Sequence, residues 1–70
     1  MTTTKETPYW EKPCAVKGLK SYRYRGDMNW IMIGATDDAD AEREAQRSHR
    51  RPIDKVKLER WDGTQYVPVA

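Results

Sequence analysis

The chain has one cysteine, one histidine and no phenylalanine among its 70 residues. A lone Cys excludes an intramolecular disulfide framework. One Cys and one His fall short of the four ligands of a structural zinc site, so no metal is expected. There is no glycine-rich phosphate loop, and no cofactor is expected. No run of 18 apolar residues exists, so no transmembrane helix and no membrane partner are expected. Met1 to Lys12 lacks the apolar core of a secretory leader. An unpaired Cys without such a leader points to the reducing cytoplasm. Apolar residues are also scarce, at 37%, with a mean hydropathy of −1.03. A domain of this size buries only about 60% of its unfolded surface. With no disulfide or metal, it must rely on three Trp and four Tyr, or on a partner.

What is present is strand-like at both ends of the chain and helix-like in the middle. Residues 1–13 are Thr-rich and charged, the composition of a flexible tail. Tyr9 and Trp10 are the exception, since adjacent aromatics suit folding back over a sheet edge or anchoring a partner. The single domain is expected over 14–70. Leu19 to Arg25 alternates, with Ser21, Arg23 and Arg25 on one face and Tyr22 and Tyr24 on the other. Gly26-Asp27 suits a two-residue type II′ hairpin. Met28 to Ile33 places Trp30 and Met32 on one face and Ile31 and Ile33 on the other. A strand apolar on both faces is expected at the centre of a sheet, or covered on both sides.

Thr36 or Asp37 is a suitable N-cap for a helix over Asp37–Ser48. Its acidic first turn suits the helix dipole. Its apolar stripe is only Ala41 and Ala45, with Ala39 nearby, so it can lie close to a sheet while burying little area. Pro52 stops it. Lys55 to Trp61 alternates again, with Val56 and Leu58 together. Asp62-Gly63 signals a two-residue hairpin that sets Trp61 opposite Thr64 and Leu58 opposite Val67. Gln65 to Val69 closes the pair, as an edge strand because Pro68 lacks an N–H. The expected fold is α+β, of ββαββ order, with an antiparallel sheet and one helix on one face.

The net charge of +2 conceals three blocks. Residues 1–25 carry +4, residues 26–42 carry −5 and residues 43–60 carry +4. The basic blocks hold Arg23, Arg25, Arg47, Arg50, Arg51, Lys55 and Lys57, with Tyr22 and Tyr24 interleaved. Cations neutralise phosphates and rings stack on bases, so this set is a candidate nucleic-acid surface. The same arginines would also complement the helix C-terminus and keep the chain in solution. A pI near 8.8 is below the strongly basic range of dedicated nucleic-acid domains. On the sheet face opposite the helix, Trp61 and Tyr66, with Trp10, form a candidate protein-binding set of the residue types that dominate interface hot spots.

The residues offer little for catalysis. His49 lies in a basic run with no carboxylate partner in sight, as an exposed linker histidine would. Cys14 would need to meet His49 to form a nucleophile pair; a half-buried structural thiol is the simpler reading. Asp37, Asp38 and Asp40 lack the Gly and terminal Glu of a calcium loop, and capping accounts for them. Arg25-Gly26-Asp27 spells an adhesion tripeptide but is turn chemistry at a hairpin tip.

The strings Tyr22-Arg23-Tyr24-Arg25-Gly26, Trp30-Ile31-Met32-Ile33-Gly34-Ala35 and Leu58-Glu59-Arg60-Trp61-Asp62-Gly63 resemble those of small uncharacterised proteins from bacterial phages and plasmids. The resemblance covers most of residues 20–68 and transfers no functional residue. It implies an accessory product of a mobile element that acts by binding. The expected function is therefore non-enzymatic: a nucleic-acid-binding accessory protein, or alternatively an inhibitor or adaptor of the anti-defence type docking on a host protein. Self-association as a homodimer is a further ordinary use of an uncovered aromatic face. Convergence of the two basic blocks on one face would favour nucleic acid. Their separation around an aromatic patch would favour protein.

Overall fold

In the computed structural model, which describes residues 8–70, the alternating segments form four strands and the alanine-striped segment forms the one α-helix. The strands are β1 (Lys20–Arg25), β2 (Trp30–Ala35), β3 (Leu58–Trp61) and β4 (Tyr66–Pro68), and the helix is α1 (Asp38–Arg47). The sheet is antiparallel throughout, in the order β2-β1-β3-β4. The domain is a small α+β unit with the helix inserted between two hairpins. No helix among the described residues is long and apolar enough to cross a membrane.

The side-chain parity of the strands sets the core. Tyr22, Tyr24, Ile33, Ala35 and Leu58 point to one face, where Ala41 and Ala45 of α1 meet them. Ile31, Ile53 and Val69 close the periphery. Among the described residues the large side chains that are fully buried are Tyr22, Tyr24 and Leu58. Both tyrosine hydroxyls are used, as buried polar tips must be. Tyr22 donates to Asp38 Oδ1 at 2.6 Å, and Tyr24 accepts from the Asp54 amide at 2.8 Å. Asp37 is the N-cap, its carboxylate accepting from the Asp40 amide at 2.8 Å.

Several expectations shift. Both hairpins have four-residue loops. Gly26 to Asn29 joins Arg25 to Trp30, and Asp62 to Gln65 joins Trp61 to Tyr66. In the second, the Asp62 carboxylate accepts from the amides of Thr64 and Gln65, both at 2.8 Å. Gly63 takes φ +108°. Those bonds make a wider turn than the dipeptide Asp-Gly signal implies. Each register moves by two residues, so the faces survive while the partners change. Trp61 meets Tyr66, and Arg60 meets Val67. Lys55–Lys57 is a 3₁₀ turn rather than strand, and Val56 is exposed. β2, the most apolar strand, lies at the sheet edge and not at its centre. β4, with Pro68, is the other edge, as its missing N–H requires.

Of the expected tail, residues 1–7 lie outside the described residues. Residues 8–19 run across the face opposite α1. One hydroxyl anchors this segment: Ser21 Oγ, buried, accepts from the amides of Cys14 and Ala15, both at 2.9 Å. Tyr9–Glu11 forms a 3₁₀ turn. Tyr66 donates its hydroxyl to the Lys12 carbonyl at 2.7 Å. The Tyr9-Trp10 pair thus folds back, over the sheet face instead of its edge.

Candidate functional site

The face opposite α1 carries Ser21, Arg23 and Arg25 from β1, with Trp30 and Met32 from β2. Glu59 and Trp61 from β3 and Tyr66 from β4 complete it. Arg23 organises it. Its guanidinium lies 4.1 Å from the Trp30 ring centroid and 4.5 Å from that of Tyr66. Nε donates to Glu59 at 2.6 Å, and Nη1 donates to the Trp10 carbonyl at 2.6 Å. Glu11 approaches the same Nη1 at 3.3 Å. The Arg23 side chain is 11% exposed. A cation so buried is tolerable only because two carboxylates, a carbonyl and two ring faces replace its water.

Beyond this stack the face opens. Tyr9, Trp10, Arg25, Met28, Asn29 and Trp30 line a cleft of about 280 Å³. Tyr9 meets Trp10 edge to face, with ring centroids 4.9 Å apart. The Arg25 guanidinium lies 5.2 Å from the Trp30 centroid, and Arg25 makes no ion pair among the described residues. Met28 at the hairpin tip is 94% exposed. At the far end of the face, Trp61 packs edge-on to Tyr66 at 5.1 Å. Tyr66 is buried, so of the set Trp10, Trp61 and Tyr66 only the two tryptophans remain accessible. Tyr9 was marked together with Trp10 by its sequence, whereas Met28 and Trp30 were not among the candidate binding residues. Their link to Trp10 and Arg25 depends on the N-terminal segment lying back over β1 and β2.

The candidate nucleic-acid set does not form one surface. Tyr22 and Tyr24 are core residues and present no ring face for stacking. Arg23 is enclosed as described. Arg47 pairs with Glu44, Arg51 with Asp27, and Lys55 with Glu42. Arg25, Arg50 and Lys57 are without an ion pair among the described residues, and they sit on different elements. Arg50 lies with Arg51, His49 and the hairpin turn around a second open cleft of about 580 Å³.

The remaining candidates resolve as packing. His49 is half-buried against the Tyr24 ring at 5.4 Å, on the helix side of the sheet, and not exposed as expected. Cys14 lies on the other side, its thiol 3.3 Å from the Ile33 carbonyl, on an exposed residue where a half-buried one was expected. The sheet separates the two, so they form no nucleophile pair. Asp38 and Asp40 hold Arg60, Tyr22, Thr36 and Arg43. Among the described residues no three of His, Cys, Asp and Glu converge as a metal would require. Asp27 of the Arg25-Gly26-Asp27 turn is held by Arg51.

No protein-family model, no curated protein and no solved structure matches this chain.

Proposed function

We propose that this chain is a non-enzymatic binding module that docks on a protein partner through the cleft formed by Tyr9, Trp10, Arg25, Met28, Asn29 and Trp30. The observation that carries this reading is Arg25, an arginine without a carboxylate partner among the described residues, set beside three rings and an exposed methionine. Such a cleft fits an extended apolar segment that carries a carboxylate. The rings take the apolar side chains, and Arg25 pairs with the acid in partly desolvated surroundings. Six of the eleven other Lys and Arg among the described residues already pair with a carboxylate, and Tyr22 and Tyr24 between them are buried. Both facts favour a protein over a nucleic-acid partner.

The test is capture from native lysate with and without nuclease, using three forms of the chain: wild type, Trp10→Ala/Arg25→Ala and Arg50→Ala/Arg51→Ala. The expected result is nuclease-resistant capture that persists in the second variant and is lost in the first. Nuclease-sensitive, salt-labile capture lost on removal of Arg50 and Arg51 would overturn the reading in favour of nucleic acid.

A further inference from the structure

β2 has the composition of a central strand but occupies an edge. Six residues, Trp30–Ala35, carry no charge and no proline. The opposite edge, β4, is three residues long and ends in Pro68. Edges are normally blunted by such shortness, by proline or by charge, and β2 has none of these. In an antiparallel ladder, alternate residues turn their backbone groups to one neighbour. The bond from the Gly26 amide to the Asn29 carbonyl sets the phase. Ile31, Ile33 and Ala35 therefore bond to β1, and Trp30, Met32 and Gly34 turn their N–H and C=O groups outward. Among the described residues nothing bonds to those outward groups.

We infer that β2 pairs with β2 of a second copy of this chain, joining two four-stranded sheets into one of eight. A two-fold axis at Met32 would set Met32 against Met32, Trp30 against Gly34 and Ile31 against Ile33. This register engages every outward backbone group. It sets Trp30 opposite Gly34, a position that Ala15 and Leu19 cover on the face opposite α1, and it extends the apolar Ile face under the helices.

Charge agrees with the same axis. α1 runs back over β2, so Asp37, Asp38 and Asp40 lie near the Ala35 end. Arg47, Arg50 and Arg51 lie near the Gly26–Asn29 turn. Antiparallel pairing of the strands brings the acidic end of one helix beside the basic end of the other, and the reverse. Asp38, Asp40, Arg47 and Arg51 are already paired within the chain, so Asp37 and Arg50 are the groups without an ion pair among the described residues. Size agrees too. A core with three large side chains fully buried among the described residues is small, and chains of this length commonly gain stability by association. The inference shares Trp30 with the aromatic cleft but rests on the backbone edge of β2 and not on the ring faces.

Sedimentation equilibrium of the full chain, from about 5 µM to about 500 µM, reads the association directly. The expected mass rises with concentration toward twice 8.2 kDa. Met32→Lys, which sets two cations across the axis, should weaken association by about tenfold or more. Circular dichroism verifies that this variant is folded. If it does not fold, amide exchange of the wild type decides. The Met32 and Gly34 amides should exchange more slowly as concentration rises, and exchange independent of concentration would overturn the inference. So would a wild type that stays monomeric throughout. A dimer kept by folded Met32→Lys and lost in Trp10→Ala/Arg25→Ala would move the interface to the aromatic face and also overturn it.

Discussion

At the residue scale, the sharpest chemistry belongs to side chains that hold elements together. Burial first, and then the hydrogen bond to Asp38, push the Tyr22 hydroxyl up to about 12. Burial also raises Tyr66, with the neighbouring Cys14 next in effect. A raised tyrosine favours the neutral form in the folded chain. The unfolded chain ionises its tyrosines from about pH 10. The stabilisation is therefore fully present below pH 10 and is lost as pH rises through about 12. Unfolding free energy measured against pH should fall above about pH 10, and Tyr22→Phe/Tyr66→Phe should remove most of that slope. The partner carboxylate behaves oppositely. Asp38 is held below the usual carboxylate range, chiefly by the Tyr22 hydroxyl and then by Arg60 against the effect of burial. Its contribution is present above the ordinary carboxylate pKa and is lost as pH falls through the depressed value. Tyr22→Phe alone should destabilise by about 1–2 kcal/mol in chemical denaturation. It should also move the Asp38 titration, followed by NMR, up toward the ordinary range.

At the scale of elements, Arg23 is the side chain on which the N-terminal segment and the sheet both depend. Removing it would leave Glu59 partly buried without its partner and would free the Trp10 carbonyl. Loss of one partner of a largely buried pair costs about 3–5 kcal/mol. Glu59 retains some solvent access, so Arg23→Ala should fall at or below the lower end of that range in thermal unfolding. It should also open chymotryptic cleavage at Tyr9 and Trp10 before global unfolding. The helix tests a different limit. Ala41 and Ala45 are fully buried against the sheet, so Ala41→Leu has no space to occupy. Overpacking of this kind costs about 1–3 kcal/mol, whereas Ala39→Leu on the exposed side should leave the melting temperature nearly unchanged. Where these elements come from was largely legible in the residues. Asp37, the Ala41–Ala45 pair and Pro52 bracketed the helix, and alternation separated Tyr22 and Tyr24 from Arg23 and Arg25. Nothing local said which face the helix covers: both tyrosines, expected to stack on nucleic acid, are core. Loop lengths were not legible either, because side chains such as Asp62 bond to amides inside the turn and widen it. A shift of two residues then leaves every face intact, so the hydrophobic pattern cannot detect it.

At the scale of the whole molecule, one thin helix covers one sheet face and an irregular segment covers part of the other. Deleting residues 1–12 should therefore expose Arg23, Trp30 and Tyr66 to water. The expected outcome is a lower melting temperature and new binding of a hydrophobic dye, with the helical circular-dichroism signal retained. An unchanged melting temperature would mean that the segment contributes nothing to the fold. The dispersal of positive charge is also a property of the whole. Arg51 reaches Asp27, Lys55 reaches Glu42, and Arg23 reaches Glu59. Each pair joins one block to another, so charges that look unbalanced in sequence are balanced in space. This pairing is also why the candidate site moved. Arg25 stays without an ion pair among the described residues, Tyr22 and Tyr24 lie in the core, and Trp30 lines the same cleft as Trp10 and Arg25.

Local chemistry determined the order of strands and helix, the helix boundaries, the edge position of Pro68 and the division of each strand into two faces, though not which of them the helix covers. These follow from backbone capping, the missing proline N–H and the period-two alternation of strands, which act within a few residues. Tertiary structure decided the hairpin registers, the edge position of β2, the docking of residues 8–19 and the identity of the free cations. These depend on contacts between distant residues, whose free energies are set by mutual burial and desolvation, and no local spacing encodes them.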